Sequence, residues 1–299
     1  MSDALTTHDE WTDAQDEATV SVDGKELTVA YYEAGEGRRA SETSGETASD
    51  EDSDDRPIVF VHGIPSWSFL WRDVAPALAE DRHVIAPDLL GYGNSDMRDE
   101  FDRSIRAQEA MLSDLLDRLG HETVDLVCHD IGAGAALRYA AHEPEAVERL
   151  VVSNGVCYDS WPVDFVSNLG LPETADAPAD EVLGQVRGAF AEGVYADEAD
   201  EAFVEGMVAP WRREGGQTSL SRNAVATNTN HTTEIPYDDI SADLRCLWGA
   251  DDTFQPLAYG ERLADDVGGE VIELDRAYHW VVEDRTDAYV EELRSFLVD

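Results

Sequence analysis

Residues 123–144 read TVDLVCHDIGAGAALRYAAHEP and hold the most informative turn of the chain. TVDLVCH is an apolar run of strand length, and AGAALRYAAHEP has helical spacing that stops near Pro144. Asp130 stands between them, with Cys128 two positions before it and Gly132 two positions after it. A sharp, strained turn from strand to helix needs small residues at both of these places. The pattern therefore predicts that Asp130 sits on such a turn, at the end of a strand.

The same alternation of strand and helix runs outward from this turn in both directions. Apolar, strand-like runs occur at 57–63, 83–88, 149–155, 244–249 and 270–275. Helical spacing occurs at 67–80, 104–120, 257–266 and 285–298. Continuous apolar strands separated by helices are typical of parallel sheets whose two faces are covered. We expect an α/β fold with a mostly parallel central sheet and helices on both faces.

Several segments depart from that rhythm. Residues 1–18 are polar and acidic and are expected to be disordered, whereas 19–34 alternate around Asp23-Gly24 like a β-hairpin. Residues 36–56 are rich in Ser, Glu and Asp and predict a disordered insertion. The 156–238 block has helix-like pieces without strands and predicts an inserted helical cap. The core then comprises residues 19–155 and 239–299.

The charge of the chain is strongly acidic. Its formal net charge is −44, from 65 Asp and Glu against 21 Lys and Arg, and Lys25 is its one lysine. Such a chain repels phosphate backbones and anionic lipids, so we expect neither nucleic acid nor membrane as a partner. The composition resembles that of proteins from salt-loving archaea, in which salt screens the repulsion. An acidic interaction surface is the alternative interpretation.

Cysteine content and the N-terminal residues indicate the compartment. Three cysteines, Cys128, Cys157 and Cys246, do not suggest a disulfide framework. The first 17 residues have no basic start and no apolar run, so they do not resemble a signal peptide. No apolar run approaches the length of a transmembrane helix. We expect a cytoplasmic protein, and no pattern calls for a metal or a cofactor.

Three further signals accompany Asp130 in chain order. The first is His62-Gly63-Ile64-Pro65 after a strand, which could also be an ordinary turn. The second is Gly249-Ala250-Asp251-Asp252 after another strand, where Asp252 has the favoured spacing and Asp251 is the alternative. The third is His279, which follows the last strand. Asp130 could instead only cap a helix, and Asp252 could be a solvated loop carboxylate.

By these residues the chain resembles the α/β-hydrolase superfamily over roughly residues 19–299. Within this superfamily, an aspartate at the turn makes the chain similar to the haloalkane dehalogenase and epoxide hydrolase group. Residues 62–96 and 247–256 resemble the haloalkane dehalogenases most. The resemblance implies Asp130 as nucleophile, His279 as base and Asp252 as the acid that orients it. It also implies an oxyanion hole formed by the backbone N–H groups of Ile64 and Ile131.

Two positions differ from the pattern of these families. Haloalkane dehalogenases usually hold the halide with a Trp directly after the nucleophile and an Asn or Glu in the His-Gly-x-Pro loop. Here these positions are Ile131 and Ile64, which have no side-chain donor. A halide would then need another donor, such as one of three tryptophans. An epoxide hydrolase would need tyrosines from the cap to protonate the alkoxide. The candidates are Trp67, Trp161 and Trp280, and Tyr158, Tyr195 and Tyr237.

The residue types suggest a two-step hydrolysis. An aspartate is ionised at neutral pH, with an ordinary pKa of about 3.9, and can attack a saturated carbon to form an alkyl ester. His279 would then activate the water that cleaves this ester. The expected substrate is a small apolar molecule, as in haloalkane dehalogenases. An epoxide hydrolase, another hydrolase of this fold and a binding protein without catalysis are the alternatives. No prediction of oligomeric state follows.

Overall fold

A single sheet of eight strands organises the part of the chain that the structure describes. This is a computed structural model, and it describes residues 7–35, 56–226 and 228–298. The strands are β1 (Gln15–Val22), β2 (Lys25–Ala34), β3 (Ile58–Val61), β4 (Val84–Pro87), β5 (Val124–His129), β6 (Val147–Ser153), β7 (Asp243–Gly249) and β8 (Glu270–Leu274). Their order across the sheet is β1-β2-β4-β3-β5-β6-β7-β8.

The sheet is parallel from β4 to β8, because β3 pairs in parallel with both β4 and β5, and each later strand pairs in parallel with the one before it. Only the β1–β2 and β2–β4 pairs are antiparallel among the described strands. Every residue of β3, β4 and β5 is buried. Strands buried on both faces need cover on both sides. The predicted mostly parallel α/β sheet is therefore confirmed.

Helices follow most of the strands. They are α1 (His8–Asp13), α2 (Ala75–Leu78), α3 (Ile105–Leu119), α4 (Ile131–His142), α5 (Asp164–Leu169), α6 (Pro172–Ala175), α7 (Ala179–Glu192), α8 (Glu201–Val208), α9 (Gly216–Ala226), α10 (Asn230–Thr233), α11 (Leu257–Val267), α12 (Val281–Asp284) and α13 (Thr286–Leu297). In the described ranges no helix is both long and apolar enough to cross a bilayer.

The predicted hairpin is present as β1 and β2. Val22 pairs with Lys25 across the two-residue turn of Asp23 and Gly24. Both turn residues have positive φ, 52° and 75°, which matches the tight turn that suits the twist of two antiparallel strands. The insertion predicted at 36–56 lies outside the described residues except at its last position.

The prediction of a disordered N-terminus is wrong for residues 7–18, which form α1 and the first part of β1. Thr7 and Glu10 form a reciprocal capping box at the start of α1. Trp11 is fully buried, its indole N–H donates to Ser68 Oγ over 2.9 Å, and its ring stacks on Tyr32. One large aromatic side chain thus anchors a segment whose composition is otherwise polar and acidic.

The continuous helix predicted at 67–80 is also wrong. The structure has a 3₁₀ turn at Ser68–Trp71 and then the separate short helix α2. Pro76 stands in the first turn of α2. Proline has no N–H and its ring clashes with the carbonyl four residues earlier, so a helix begins there and does not run through.

The 156–238 block lies between β6 and β7 and contains α5 to α10. Two tryptophans connect it to the loop after β3. Trp67 donates its indole N–H to the carbonyl of Gly206, and Trp211 donates to the carbonyl of Pro65. The loop after β3 follows the carboxyl end of that strand. The block therefore packs on the side of the sheet where parallel strands end, which is where ligand sites form in such sheets.

Candidate active site

Asp130 joins β5 to α4 through a strained turn. Its backbone has φ 51° and ψ −126°, a conformation that residues other than glycine rarely adopt. A Cβ at Gly132 would stand 2.4 Å from the carbonyl oxygens of Val61 and His62, so glycine is required for α4 to start this close to β3. The Asp130 side chain makes no capping hydrogen bond to α4. The alternative in which this carboxylate only caps a helix therefore finds no support.

The two oxygens of the Asp130 carboxylate face different neighbours, a backbone amide and an imidazole. Oδ1 accepts a hydrogen bond from the N–H of Ile64 over 2.7 Å, and the backbone N–H of Ile131 acts with it to lower the pKa of the carboxyl. Oδ2 lies 3.7 Å from Nε2 of His279. Gly63 permits this approach, because a Cβ there would be 2.3 Å from Asp130 Cβ. The Ile64 amide predicted for the oxyanion hole is thus hydrogen-bonded to the predicted nucleophile, and the Ile131 amide stabilises its charged form.

His279 lies between two buried carboxylates. Its Nδ1 is 2.9 Å from Oδ2 of Asp252, and its Nε2 faces Asp130. Burial alone would lower the pKa of His279, but the charges of Asp252 and Asp130 raise it above its ordinary value. Burial raises the pKa of the Asp130 carboxyl, against the opposing effect of the His279 charge and the two amides. Loss of either carboxylate charge would therefore lower the pKa of His279.

Asp252, and not Asp251, is the acid beside His279. Asp252 is buried, whereas Asp251 is exposed. Burial acts to raise the pKa of Asp252, but the charge and hydrogen bond of His279, with two further hydrogen bonds, leave it below its ordinary value. One of these two comes from the N–H of Phe254, which donates to Oδ1 over 2.7 Å. Asp252 is therefore held as a carboxylate facing the imidazole.

Asn154 supplies the other hydrogen bond, and the sequence interpretation missed it. Its side-chain nitrogen donates to Asp252 Oδ2 over 2.5 Å, and its side-chain oxygen accepts the N–H of Gly249 over 3.1 Å. It follows β6 with a positive φ of 43°, which asparagine tolerates better than most residues. The signal available in the sequence was an asparagine at the end of a core strand.

His129 is a second residue that the sequence interpretation missed. It directly precedes Asp130, is fully buried, and its Nε2 lies 2.9 Å from the backbone carbonyl of His279. Burial lowers its pKa to about 3, so the ring is neutral at physiological pH. Because a carbonyl only accepts, Nε2 carries the proton. The histidine before the predicted nucleophile therefore holds the backbone of the predicted base.

A small cavity of about 20 Å³ adjoins Asp130 and His279. That volume holds about one water-sized molecule. Most of its wall is apolar and comes from both the core and the 156–238 block. The apolar side chains are Ile64, Pro65, Val163, Phe165, Val166 and Phe254. Trp161, Ala189, Gln255 and Trp280 complete the lining.

The tryptophans proposed as leaving-group donors differ in their hydrogen bonds. Trp67 is committed to the carbonyl of Gly206, and Trp280 donates to the carbonyl of Ala189 over 3.2 Å. The buried indole nitrogen of Trp161 has no partner within the described residues. Both Trp161 and Trp280 line the cavity.

The three candidate tyrosines lie elsewhere, and none of them lines the cavity. Tyr158 donates to Asp266 over 2.7 Å, and Tyr237 donates to the carbonyl of Thr232 over 3.1 Å. Tyr195 is 42% exposed. In the part of the chain that the structure covers, no group of three or more His, Cys, Asp or Glu side chains is arranged to hold a metal ion.

The sequence of the chain is similar to a known protein family and to individual enzymes. A model of the alpha/beta hydrolase family matches residues 58–292. The cis-3-alkyl-4-alkyloxetan-2-one decarboxylase of Shewanella oneidensis is 28% identical over 272 residues, which cover 81% of this chain and 82% of that protein. Haloalkane dehalogenase 2 of Mycobacterium tuberculosis is 24% identical over 243 residues, 77% of this chain and 84% of that protein.

A solved structure agrees with the family match. An alpha/beta hydrolase fold protein from Burkholderia ambifaria superposes with a TM-score of 0.79 and 28% identity, over 93% of this chain and 97% of that one. The strand order, the strained turn after β5 and the family match lead to the same result. The chain belongs to the alpha/beta hydrolase family.

Proposed function

We propose that this protein is a hydrolase in which Asp130 attacks a substrate carbon and His279 activates the water that cleaves the resulting ester. The observation that carries the proposal is the orientation of the Asp130 carboxylate. Oδ1 accepts the N–H of Ile64, while Oδ2 lies near the imidazole of His279 beside the cavity. An aspartate that only capped a helix or stabilised a loop would have no need of this geometry.

In the first step Oδ2 of Asp130 forms a bond to a saturated carbon of the substrate. The bond between that carbon and its leaving group breaks, and the leaving group takes the electron pair. His279 is not needed as a base here, because an ionised carboxylate is already a nucleophile. The product of the step is an ester between the substrate carbon and Asp130.

In the second step Nε2 of His279 takes a proton from water, and the water oxygen attacks Cγ of Asp130. The oxyanion that develops on Oδ1 is stabilised by the N–H groups of Ile64 and Ile131. The intermediate then expels the alcohol, which recovers its proton from His279. Esterification has removed the negative charge of Asp130, so the pKa of His279 is lower in this state than in the free protein. The imidazole thereby becomes a base when the second step requires one.

Carbon–halogen cleavage is the reaction that we propose first. Attack by a carboxylate on saturated carbon suits a haloalkane, and the cavity wall is largely apolar. The similarity to haloalkane dehalogenase 2 supports the same class. The cavity of about 20 Å³ holds about one water, so the 156–238 block must open before a haloalkane enters. We propose this block as the cap that sets specificity.

A second candidate is the breakdown of a strained cyclic ester. The observation that favours it is the 28% identity to an enzyme named for decarboxylation of cis-3-alkyl-4-alkyloxetan-2-ones. Epoxide opening is less favoured, since none of the three candidate tyrosines lines the cavity. Activity towards n-propyl chloride, propylene oxide and a cis-dialkyl oxetanone, measured side by side, distinguishes these chemistries.

Trapping of the ester tests the proposed mechanism. The His279→Gln variant should carry out the first step and stop before the second. The intact mass of the protein should then rise by the mass of the substrate fragment, and peptide mapping should place the addition on Asp130. In a mechanism with an activated hydroxyl nucleophile the same variant would form no covalent bond, because the base is needed first.

Two matched variants complete the experiment. Asp130→Asn should give no adduct and no turnover. His142→Gln makes the same histidine change on the half-exposed face of α4, outside the cavity, and should turn over like the unmodified protein. An adduct on another residue, or turnover by Asp130→Asn after exclusion of deamidation, would contradict the proposal.

A further inference from the structure

We propose that Trp161 and Gln255 form the subsite that binds the negatively charged atom of the leaving group. This inference rests on the proposed function. It assigns the leaving-group donors that Ile64 and Ile131 cannot supply, because their side chains have no N–H or O–H. Both residues line the cavity that contains Asp130 and His279. Both also carry buried side-chain nitrogen atoms without a partner in the described parts of the chain.

Gln255 has no exposed surface, and neither atom of its side-chain amide has a hydrogen-bond partner among the described residues. Most buried polar groups in proteins are hydrogen-bonded, and a buried amide without partners destabilises the fold. The backbone around it is firmly held. Trp248 donates its indole N–H to the carbonyl of Gln255 over 2.8 Å, and the preceding residue is bonded to Asp252. A fully buried amide on a held backbone, beside a cavity, is suited to binding a ligand.

Trp161 is 3% exposed, and its carbonyl accepts a hydrogen bond from Thr229, so its backbone is fixed as well. Its indole N–H is a donor only. Trp280 lines the same cavity, but its N–H is already bonded to Ala189. Trp161 is thus the tryptophan of this cavity wall with a free donor, within the described ranges.

The chemistry of these groups matches a departing anion. The N–H of Ile64 is taken by the Asp130 carboxylate, so it cannot also serve the leaving group. The leaving atom gains negative charge while its bond to carbon breaks, and fixed donors at that point lower the barrier. The indole of Trp161 and the amide of Gln255 supply such donors. A halide ion and the ring oxygen of a strained heterocycle share this need.

Bromide binding tests the subsite without any reaction. Bromide replaces glutamate stepwise at constant potassium concentration, and intrinsic tryptophan fluorescence is recorded. We expect a saturable change in the unmodified protein. Trp161→Phe and Gln255→Leu should each weaken the bromide affinity roughly tenfold or more, as expected for loss of a hydrogen bond to a charged ligand. Trp71→Phe and Gln217→Leu make the same changes outside the cavity and should retain the affinity.

Ester formation tests the same groups during the reaction. In the His279→Gln background, the rate of adduct formation is measured by mass with n-propyl chloride, n-propyl iodide and propylene oxide. Removal of a donor should slow the chloride more than the iodide, because chloride is the poorer leaving group and depends more on stabilisation. A merely structural role would slow both equally. Slowing with propylene oxide in place of the halides would assign the subsite to an oxygen leaving atom.

The outcomes separate the two proposals. If esters form on Asp130 at equal rates with and without the two donors, or if bromide affinity is the same in every variant, the subsite is wrong and the proposed function stands. If no ester forms from any substrate in the His279→Gln protein, the proposed function is wrong, and the leaving-group role ends with it.

Discussion

Asn154 donates to the same oxygen of Asp252 that faces His279, over 2.5 Å, and accepts the N–H of Gly249 at its other end. One asparagine at the end of β6 thereby ties the acid to the end of β7. Asp252 can then present only one orientation of its carboxylate to the imidazole. Asn154 also donates to the carbonyl of Tyr278, the residue before His279, so it acts on the predicted base through both of these neighbours.

Removal of this asparagine should slow the second step selectively. Asn154→Gly keeps the positive φ without strain and deletes the three side-chain hydrogen bonds, to Asp252, Gly249 and the carbonyl of Tyr278. We expect a loss of about 1–3 kcal/mol in the free energy of unfolding and slower hydrolysis of the Asp130 ester, with ester formation little changed. Rapid-mixing mass measurements give both rates. Asn168→Gly, at an exposed position of α5, is the matched control, and equal effects from the two variants would contradict the assignment.

The two neighbouring aspartates allow a sharper comparison. Asp252→Asn removes a charge that raises the pKa of His279, whereas Asp251→Asn changes an exposed residue. Ester hydrolysis needs neutral His279, so its rate rises as pH increases through that pKa. A lower pKa in Asp252→Asn moves the midpoint of this rise to lower pH, and the plateau should fall by roughly a hundredfold or more. Ester decay measured across pH checks this. A larger effect from Asp251→Asn would reverse the assignment.

Trp11 should be essential for stability although it lies far from Asp130 in sequence. Its ring is fully buried against Tyr32, and its N–H is bonded to Ser68. Trp11→Ala should lower the free energy of unfolding by about 3–5 kcal/mol. Asp13→Ala, at an exposed site of the same helix, should change it by less than about 0.5 kcal/mol. Urea unfolding measures both, and a negligible effect of Trp11→Ala would mean that α1 is not anchored.

The charge of −44 should make folding dependent on salt. On the order of 1 M salt reduces the screening length to about 3 Å and so suppresses repulsion between carboxylates. We expect the thermal unfolding midpoint to rise strongly from dilute buffer to molar KCl. Choline chloride of equal ionic strength should give a similar rise if screening is the cause. A midpoint independent of salt would remove this explanation of the composition.

The sequence was most informative where a function needs residues close together in the chain. Cys128, Asp130 and Gly132 specify the strained turn within five positions, because the steric demand is local. The same holds for the strands, whose apolar runs reflect burial on both faces. Asp252 could be favoured over Asp251 only by spacing, and the structure shows the difference as burial.

The residues that escaped prediction depend on distant partners. His129 meets the carbonyl of His279, and Asn154 meets Asp252, in each case about a hundred positions or more away. No local pattern records such a contact. The N-terminus was misjudged for the same reason, since its acidic composition conceals one tryptophan that packs against β2 and bonds to Ser68.

The hydrogen bond from the Ile64 amide to Oδ1 determines which oxygen of Asp130 exchanges with solvent. In the proposed reaction the alcohol departs with Oδ2, and an oxygen from solvent takes its place on Asp130. The hydrogen bond to Oδ1 prevents rotation of the carboxylate about its Cβ–Cγ bond, so Oδ1 and Oδ2 do not exchange places. Oδ1 is therefore retained, whereas Oδ2 is replaced by a solvent oxygen in every cycle. After many turnovers in heavy-oxygen water, Asp130 should therefore carry one heavy oxygen and no second. The nucleophile would then keep one oxygen for the lifetime of the protein and exchange the other with the solvent at each catalytic cycle.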